Sequence, residues 1–442
     1  MEFFQVTPRG RSRDSTDEKL NGMLLAVMAY LNQSYIRLVK STAIYGGGDF
    51  VALFCATFIV LPLLSSKLEP IEYSHYLSLR AKVDLFILIG HIGIVSGYSR
   101  LFFSKTLNGQ HALFYTSIYM GGLWLGLIYI LIMVFQHLFP VLLATDLDGY
   151  RTMVFLIAMS SLVYNIHVTT FRNQNRPYRF LVLQLGNAIT LCTTLLLWDL
   201  FDKLNIMSVF VALFLSFMLP NLLGFEPNRR MSLELAHKEE LAAMSLPIFF
   251  GLLCLFMLNK FNLLFLVDKV DPIEYGSYAI SVQIGMLLGL VTASVGKAIQ
   301  PYIWSSTGVN LRSRLGVSSF VLVTILCSTW IGINLGGGLL FALFSPESFI
   351  LDKVNLLLLT GCTALSGFTL ISDSIIILYK KPSVVLFLIV LSVSVTILLS
   401  FILVGSMGTR GASLAQFFGM MTFCCLSFFM ALKVLKNEEF PI

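Results

Sequence analysis

Five ionisable residues stand inside or at the ends of long apolar runs, and each brings a different chemistry. Asp49 follows Gly46-Gly47-Gly48, so a carboxylate able to hold a proton, a sodium ion or a basic partner lies next to a stretch of helix loosened by three glycines, a candidate hinge. The other reading of these glycines is close helix packing, with Asp49 satisfied by neighbouring backbone. His91 can exchange a proton near neutral pH, or sit packed and hydrogen-bonded. Asp373, between Ser372 and Ser374, is a third ion-coupling candidate. Lys260, between Asn259 and Asn262, is a cation deep in an apolar run. It needs an acid, an anionic ligand or a route to water, which its long stem can reach by snorkelling. Arg100 ends a short run, Gly97-Tyr98-Ser99-Arg100, that reads as helix.

Arg100, Lys40 and Lys297, together with Arg37, Lys380 and Lys381, all terminate apolar runs on one expected side of a membrane. As a group they would make a basic mouth suited to a diphosphate, which arginine grips with two parallel hydrogen bonds. The plainer reading is that they set topology and touch lipid phosphates. Glu72 and Glu274 recur in matching contexts, but some two hundred residues apart. They are expected to be solvated caps at symmetry-related turns rather than a paired acid and base. No Walker loop, GxSxG or HExxH pattern occurs, and the seven cysteines fall within apolar runs with no Cys/His spacing. Metal and cofactor are therefore not expected, coupling to H+ or Na+ is the one open role for an ion, and the chain is not expected to be an enzyme.

What must position these residues is a membrane-spanning bundle. Hydrophobic residues make up 57 % of the 442-residue chain and charged residues only 12 %, with a mean hydropathy of +0.83. Runs of about 20 apolar residues recur throughout, each enough to cross a bilayer as a helix. We place twelve spans, at 42–64, 83–104, 112–137, 152–171, 179–199, 206–226, 243–267, 279–302, 317–343, 354–379, 384–406 and 412–434. The fold class is all-α, a polytopic membrane protein of two six-helix bundles: a cytoplasmic polar tail over 1–35, a first bundle over 36–226, a cytoplasmic linker over 227–242 and a second bundle over 243–442. Most of the 30 basic residues fall in loops on one side if both termini are cytoplasmic. The net charge of +6 is spread over span ends, which favours an anionic cargo and no nucleic-acid partner.

The halves carry an internal repeat. Pro70-Ile71-Glu72-Tyr73-Ser74-His75-Tyr76 returns as Pro272-Ile273-Glu274-Tyr275-Gly276-Ser277-Tyr278, in each half between the first and second spans. This is the mark of a duplication with both copies facing outward.

These features resemble the polysaccharide-transporter (Wzx, O-antigen flippase) family of the multidrug/oligosaccharidyl-lipid/polysaccharide (MOP) exporter superfamily. The resemblance rests on Asp271 to Tyr278, on Gly97 to Arg100 and on a first span with a glycine-rich middle; in the first copy Ser74 and His75 depart from the pattern. It implies a MATE-like pair of bundles that rock between inward and outward openings in a bacterial inner membrane. The cargo would be an undecaprenyl-diphosphate-linked oligosaccharide, a repeat unit of O-antigen lipopolysaccharide or another surface polysaccharide, with its prenyl tail among the membrane lipids. A polymerase or ligase of the same pathway would be a partner. A MATE-type drug or cation antiporter is the alternative, and a membrane glycosyltransferase or polysaccharide polymerase a distant one, since no outer loop is large enough to house catalytic groups. If Asp49 couples an ion, Asp49→Asn abolishes transport; full activity with an unchanged pH dependence in a vesicle assay would make it a packing residue.

Overall fold

Lipid offers no hydrogen bonds, so a chain crossing it must satisfy each backbone group internally. The protein accordingly folds as helices: among the residues described by the computed structural model (47–48, 51, 54–138, 149–224, 237–304, 309–378 and 382–437), every regular element is helical. A π-helical turn, Ala56–Val60, leads into α1 (Leu61–Lys67). Then follow α2 (Pro70–His91), α3 (Ile94–Phe102), α4 (Leu107–Leu138), α5 (Arg151–Asn173), α6 (Pro177–Leu200), α7 (Ile206–Gly224), α8 (Lys238–Phe265), α9 (Pro272–Trp304), α10 (Val309–Phe344), α11 (Lys353–Leu378) and α12 (Pro382–Asn437). Nine of the described helices are long and apolar enough to cross a membrane, ten when the bent pair α2 and α3 counts as one span. α12 is itself a hairpin that reverses at Gly408, whose φ of 55° and ψ of −132° lie outside the helical region. Its arms are the two last spans read from the sequence, 384–406 and 412–434.

Among the boundaries that differ from the sequence reading, two do so for one reason. The spans expected from 83 and 279 begin at Pro70 and Pro272, so the repeated heptads are helical first turns and not loops. Proline fits there because the first helical position has no use for an N–H. Tyr73 N and Tyr275 N donate to Glu69 O and Asp271 O, each at 2.8 Å, and the Asp271 carboxylate caps Ile273 N. The polar residues that hid these turns from a hydropathy reading are covered by protein rather than lipid: Tyr73, Ser74, Tyr275 and Tyr278 are all buried.

Packing sorts the helices into two groups. α4 to α7 pack chiefly on one another, with α2 against α4 and α5; α9 to α12 do the same, with α8 against α12; and α2 and α3 meet α8 and α9 along a seam. At one end of the seam the two heptads touch. Ser74 Oγ donates to Pro272 O at 2.6 Å and Tyr73 OH to Phe344 O at 2.9 Å. A Cβ at Gly276, the counterpart of Ser74, would collide with Ser74 Oγ and the Phe349 ring. The departure from the repeat at Ser74 is thus a complementary pair, a hydroxyl on one side and space for it on the other.

Farther along the seam the span is broken. Ile92 (φ 41°) and Gly93 (φ 71°) both adopt left-handed backbone, and α3 turns away from α2 by 46°. Left-handed backbone at a β-branched isoleucine costs about 1–3 kcal/mol, which the surroundings must offset. α8 does so by packing over the break: a Cβ on Gly93 would strike the Ser245 carbonyl oxygen, and one on Gly97 the Ser245 hydroxyl. Gly93→Val should therefore lower stability by about 1–3 kcal/mol, measured as the unfolding midpoint in detergent, while Gly47→Ala, which meets nothing within 4 Å, should not lower it. Equal midpoints for the two variants would refute this account of the break.

Candidate functional site at the seam

Lys260 gathers the site. It lies five residues from the C-terminal end of α8, about 8 Å along the axis. The flanking asparagines that the sequence singled out orient it. Asn262 Nδ2 donates to Ala412 O and its Oδ1 accepts from Ser400, while Asn259 O accepts from Gln416 Nε2. These bonds fasten one face of α8 to the α12 hairpin. Lys260, about 100° around the helix from Asn259, is thereby turned towards α2.

There it meets Asp84. Lys260 Nζ donates to Asp84 Oδ2 at 2.7 Å, and Arg80 Nε, one turn earlier on α2, lies 3.2 Å from Asp84 Oδ1. The side chains of Lys260 and Asp84 keep 19 % and 24 % of their exposure. Phe256 adds its ring 5.7 Å from Nζ, within cation–π range. Lys260 is thus satisfied across the seam by Asp84 and does not need to snorkel. Two cations share one carboxylate, which leaves the cluster with a net charge of +1.

Asp84 and Lys260 of this cluster, but not Arg80, line a cavity of about 320 Å³ between the two helix groups, together with His91, Gly93, Ser96 and Phe256 among others. His91 is held at its rim by α5, with Nε2 3.1 Å from Ser161 Oγ and 3.3 Å from Ala158 O. On the other side of the same helix break lies a second cavity of about 320 Å³ with apolar walls, including Ile94, Leu123, Trp124, Leu127 and Leu246. The larger cleft of about 630 Å³ beside Gly408 contains Asp271, Glu274, Asp352, Lys353 and Arg410, of which Glu274, Asp352 and Arg410 are engaged. Glu274 Oε1 accepts from Thr409 N and Oγ1, and Arg410 Nε donates to Asp352 at 2.6 Å. Glu274, exposed in the first turn of α9, thus also clamps the α12 hairpin.

Of the remaining candidates, Arg100 is exposed on α3 one turn beyond Ser96, and the run before it is structural. Gly97 lies against Ser245, Tyr98 OH bonds Thr170 Oγ1 at 2.8 Å and Ser99 bonds Asn173. Asp373 is far from the seam site in sequence and packing. It sits on α11 beside Ser427 and Thr369, its buried Oδ1 without a hydrogen-bond partner among the described residues. Gly48 packs tightly, a Cβ there coming 3.0 Å from Phe180, whereas Gly47 faces open space. Asp49, Gly46, Lys40, Arg37, Lys380 and Lys381 lie outside the described residues, as does the side chain of Lys297. The sequence reading passed over Arg80 as a site residue. Its one signal was the Arg80/Asp84 spacing, four residues apart on one helix face.

No family model matches the chain. An uncharacterized membrane protein of Haemophilus influenzae is 26 % identical over 312 residues, covering 65 % of this chain and 72 % of that protein. An inward-facing multidrug resistance MATE family transporter of the MOP superfamily superposes with a TM-score of 0.67 over 92 % of this chain and 99 % of its own, at 14 % identity. The chain has the MATE fold. The lipid II flippase MurJ, in an inward closed conformation, matches with a TM-score of 0.59 over 91 % of this chain and 90 % of its own, also at 14 % identity. Identity that low is a likeness of fold, and it bears out the all-α, polytopic membrane architecture expected from the sequence. In that fold the seam between helix groups is where Lys260, Asp84, Arg80 and His91 converge.

A double-mutant cycle on Asp84→Ala and Lys260→Ala should give a coupling energy of about 1–2 kcal/mol, as for a half-buried pair. Denaturation in detergent measures it, and additivity of the two single variants would show that the contact contributes nothing.

Proposed function

We propose that this protein is a flippase that carries an undecaprenyl-diphosphate-linked oligosaccharide, the repeat unit of O-antigen or another surface polysaccharide, across the bacterial inner membrane by alternating access. The observation that carries the reading is the net cationic cluster of Arg80, Asp84 and Lys260, which crosses the seam of a MATE fold where Asp84 and Lys260 line a cavity. A diphosphate headgroup is an anion of the size and charge such a cluster attracts, and a cation there would be repelled. The similarity in fold to MurJ, a lipid II flippase, supports an amphiphilic cargo whose tail stays in lipid. With both termini cytoplasmic, the heptad end of the seam faces outward and the Arg100 end faces the cytoplasm. Arg100, together with Lys40 and Lys297 as read from the sequence, would then serve as the basic mouth at which cargo enters. Asp49, Asp373 and His91 remain the candidates for H+ or Na+ coupling, of which Asp373 has the clearest support in its unpartnered buried oxygen. A polymerase or ligase acting on the outer leaflet would be the functional partner, and the protein itself makes and breaks no bonds.

The second reading, a MATE-type drug or cation antiporter, is favoured by one specific observation: a carboxylate, Asp84, stands in the cavity. One assay separates the two. In sealed liposomes containing the purified protein, a fluorescent undecaprenyl-diphosphate oligosaccharide should become accessible on the opposite leaflet in a protein-dependent way, with Lys260→Ala slowing it at least tenfold. Transport of a cationic dye in place of the lipid would establish the antiporter.

A further inference from the structure

We propose that the cleft of about 630 Å³ beside Gly408 binds the zwitterionic headgroup of a phosphatidylethanolamine lipid from the leaflet at the heptad end of the bundle. The inference stands apart from the cargo, because the site lies within the second helix group and uses none of the charged residues of the seam.

The cleft is built by the start of α9, the start of α11 with the residues just before it, and the reversal of α12. On α9 it takes Ile273, Glu274 and Ser277, which share one face, whereas Gly276, which receives Ser74 across the seam, lies about 100° around the helix from Ser277. The cleft is thus turned off the seam. Hydrogen bonds hold its three segments in place. Asn355 Nδ2 donates to Thr409 Oγ1 at 3.1 Å, Ser413 Oγ to Asn355 Oδ1 at 2.8 Å and Ile350 N to Ser277 Oγ at 3.3 Å. The volume falls in the range of small-molecule sites, about 300–1,000 Å³.

The hydrogen-bonding capacity left over decides the ligand. Asp352 is spent, with Oδ1 accepting from Val354 N at 2.9 Å and Oδ2 from Arg410 Nε at 2.6 Å. Arg410 gives only Nε, so its two terminal amino groups have no partner among the described residues, and neither has the ammonium of the exposed Lys353. On α9, Glu274 uses Oε1 on Thr409 and Asp271 uses Oδ1 on Ile273 N, which leaves Glu274 Oε2 and Asp271 Oδ2 as acceptors. The spare groups are therefore anionic on α9 and cationic on α11 and α12. A purely anionic ligand meets two carboxylates, and a purely cationic one meets a guanidinium and an ammonium. Phosphoethanolamine carries both charges. Its phosphate oxygens accept from Arg410 and Lys353, and its primary ammonium has three N–H groups for the two carboxylates. The rim makes the ligand a lipid. Ile350 is 79 % exposed, and Val354 and Leu357 continue an exposed aliphatic stripe from the cleft along α11, where acyl chains attached to that headgroup lie.

The test is native mass spectrometry of the purified full-length protein released from detergent, with dioleoyl phosphatidylethanolamine and dioleoyl phosphatidylglycerol as probes and circular dichroism to confirm folding. The wild type should bind phosphatidylethanolamine about fivefold more tightly than phosphatidylglycerol. Lys353→Glu, which removes a phosphate partner, should weaken phosphatidylethanolamine about fivefold, while Lys203→Glu, at an exposed lysine outside the cleft, should leave it unchanged. Asp271→Asn combined with Glu274→Gln keeps the acceptors for Ile273 and Thr409 but removes the charges that hold the ammonium. It should reverse the preference to phosphatidylglycerol, an outcome that loss of fold does not produce. Glycerophosphoethanolamine supplies the same headgroup without chains. Its failure to displace the lipid at tenfold excess supports a membrane lipid as the ligand, and full displacement points to a soluble phosphoethanolamine and overturns the lipid assignment. Equal binding of the two lipids by the wild type, equal losses in Lys353→Glu and Lys203→Glu, or an unchanged preference in the double variant overturns the site.

Discussion

A polypeptide in hydrocarbon cannot leave a backbone group unpaired, and the rest of this structure depends on that constraint. It forces unbroken helices wherever the chain faces lipid, so the places where helices break are confined to surfaces that other helices cover. There are two such places among the described residues. At Ile92–Gly93 the second span bends under Ser245 of α8, and at Gly408 the last two spans reverse under Glu274. Both breaks are bounded by the seam or by the helices that line it. The first break lies where the two helix groups meet, and the second lies within the second group.

The polar residues obey the same logic. The Asn262 side chain is spent on fastening α8 to α12, and Tyr73, Ser74, Tyr275 and Tyr278 on joining the repeat ends to their neighbours. An ionisable group needs more than a hydrogen bond in such surroundings. Lys260 finds its compensation in Asp84 and Arg80 rather than at the membrane surface, and this places a charged cluster beside a cavity. The residual exposure of all three side chains is what makes them available to an anionic ligand in the reading offered above.

The repeated heptads open α2 and α9 in the same way, and the positions where the two copies differ are informative. Ser74 and Gly276 occupy equivalent positions, yet one supplies a hydroxyl and the other the space that receives it. Lys260 on α8 is met by Asp84 on α2, the helix that follows the first heptad. A seam between unlike surfaces can open with a directional preference, whereas identical surfaces would pair equally well in other registers.

The sequence by itself determined the membrane class, the helical fold and most of the spans, because apolar runs of bilayer length admit only one kind of backbone. It also determined the duplication, through the heptads at Pro70 and Pro272, and singled out Lys260 and His91, since polar atoms in apolar runs are costly enough to stand out. Their partners were decided by the tertiary structure. Asp84 and Lys260 are 176 residues apart, and nothing local links them; only the crossing of α2 and α8 brings a carboxylate to that ammonium. The true starts of the spans at Pro70 and Pro272 were hidden for a related reason, as tyrosines and serines look too polar for a membrane until other helices cover them. The bend at Ile92 was equally illegible, because isoleucine disfavours left-handed backbone and adopts it here only where α8 packs against the break.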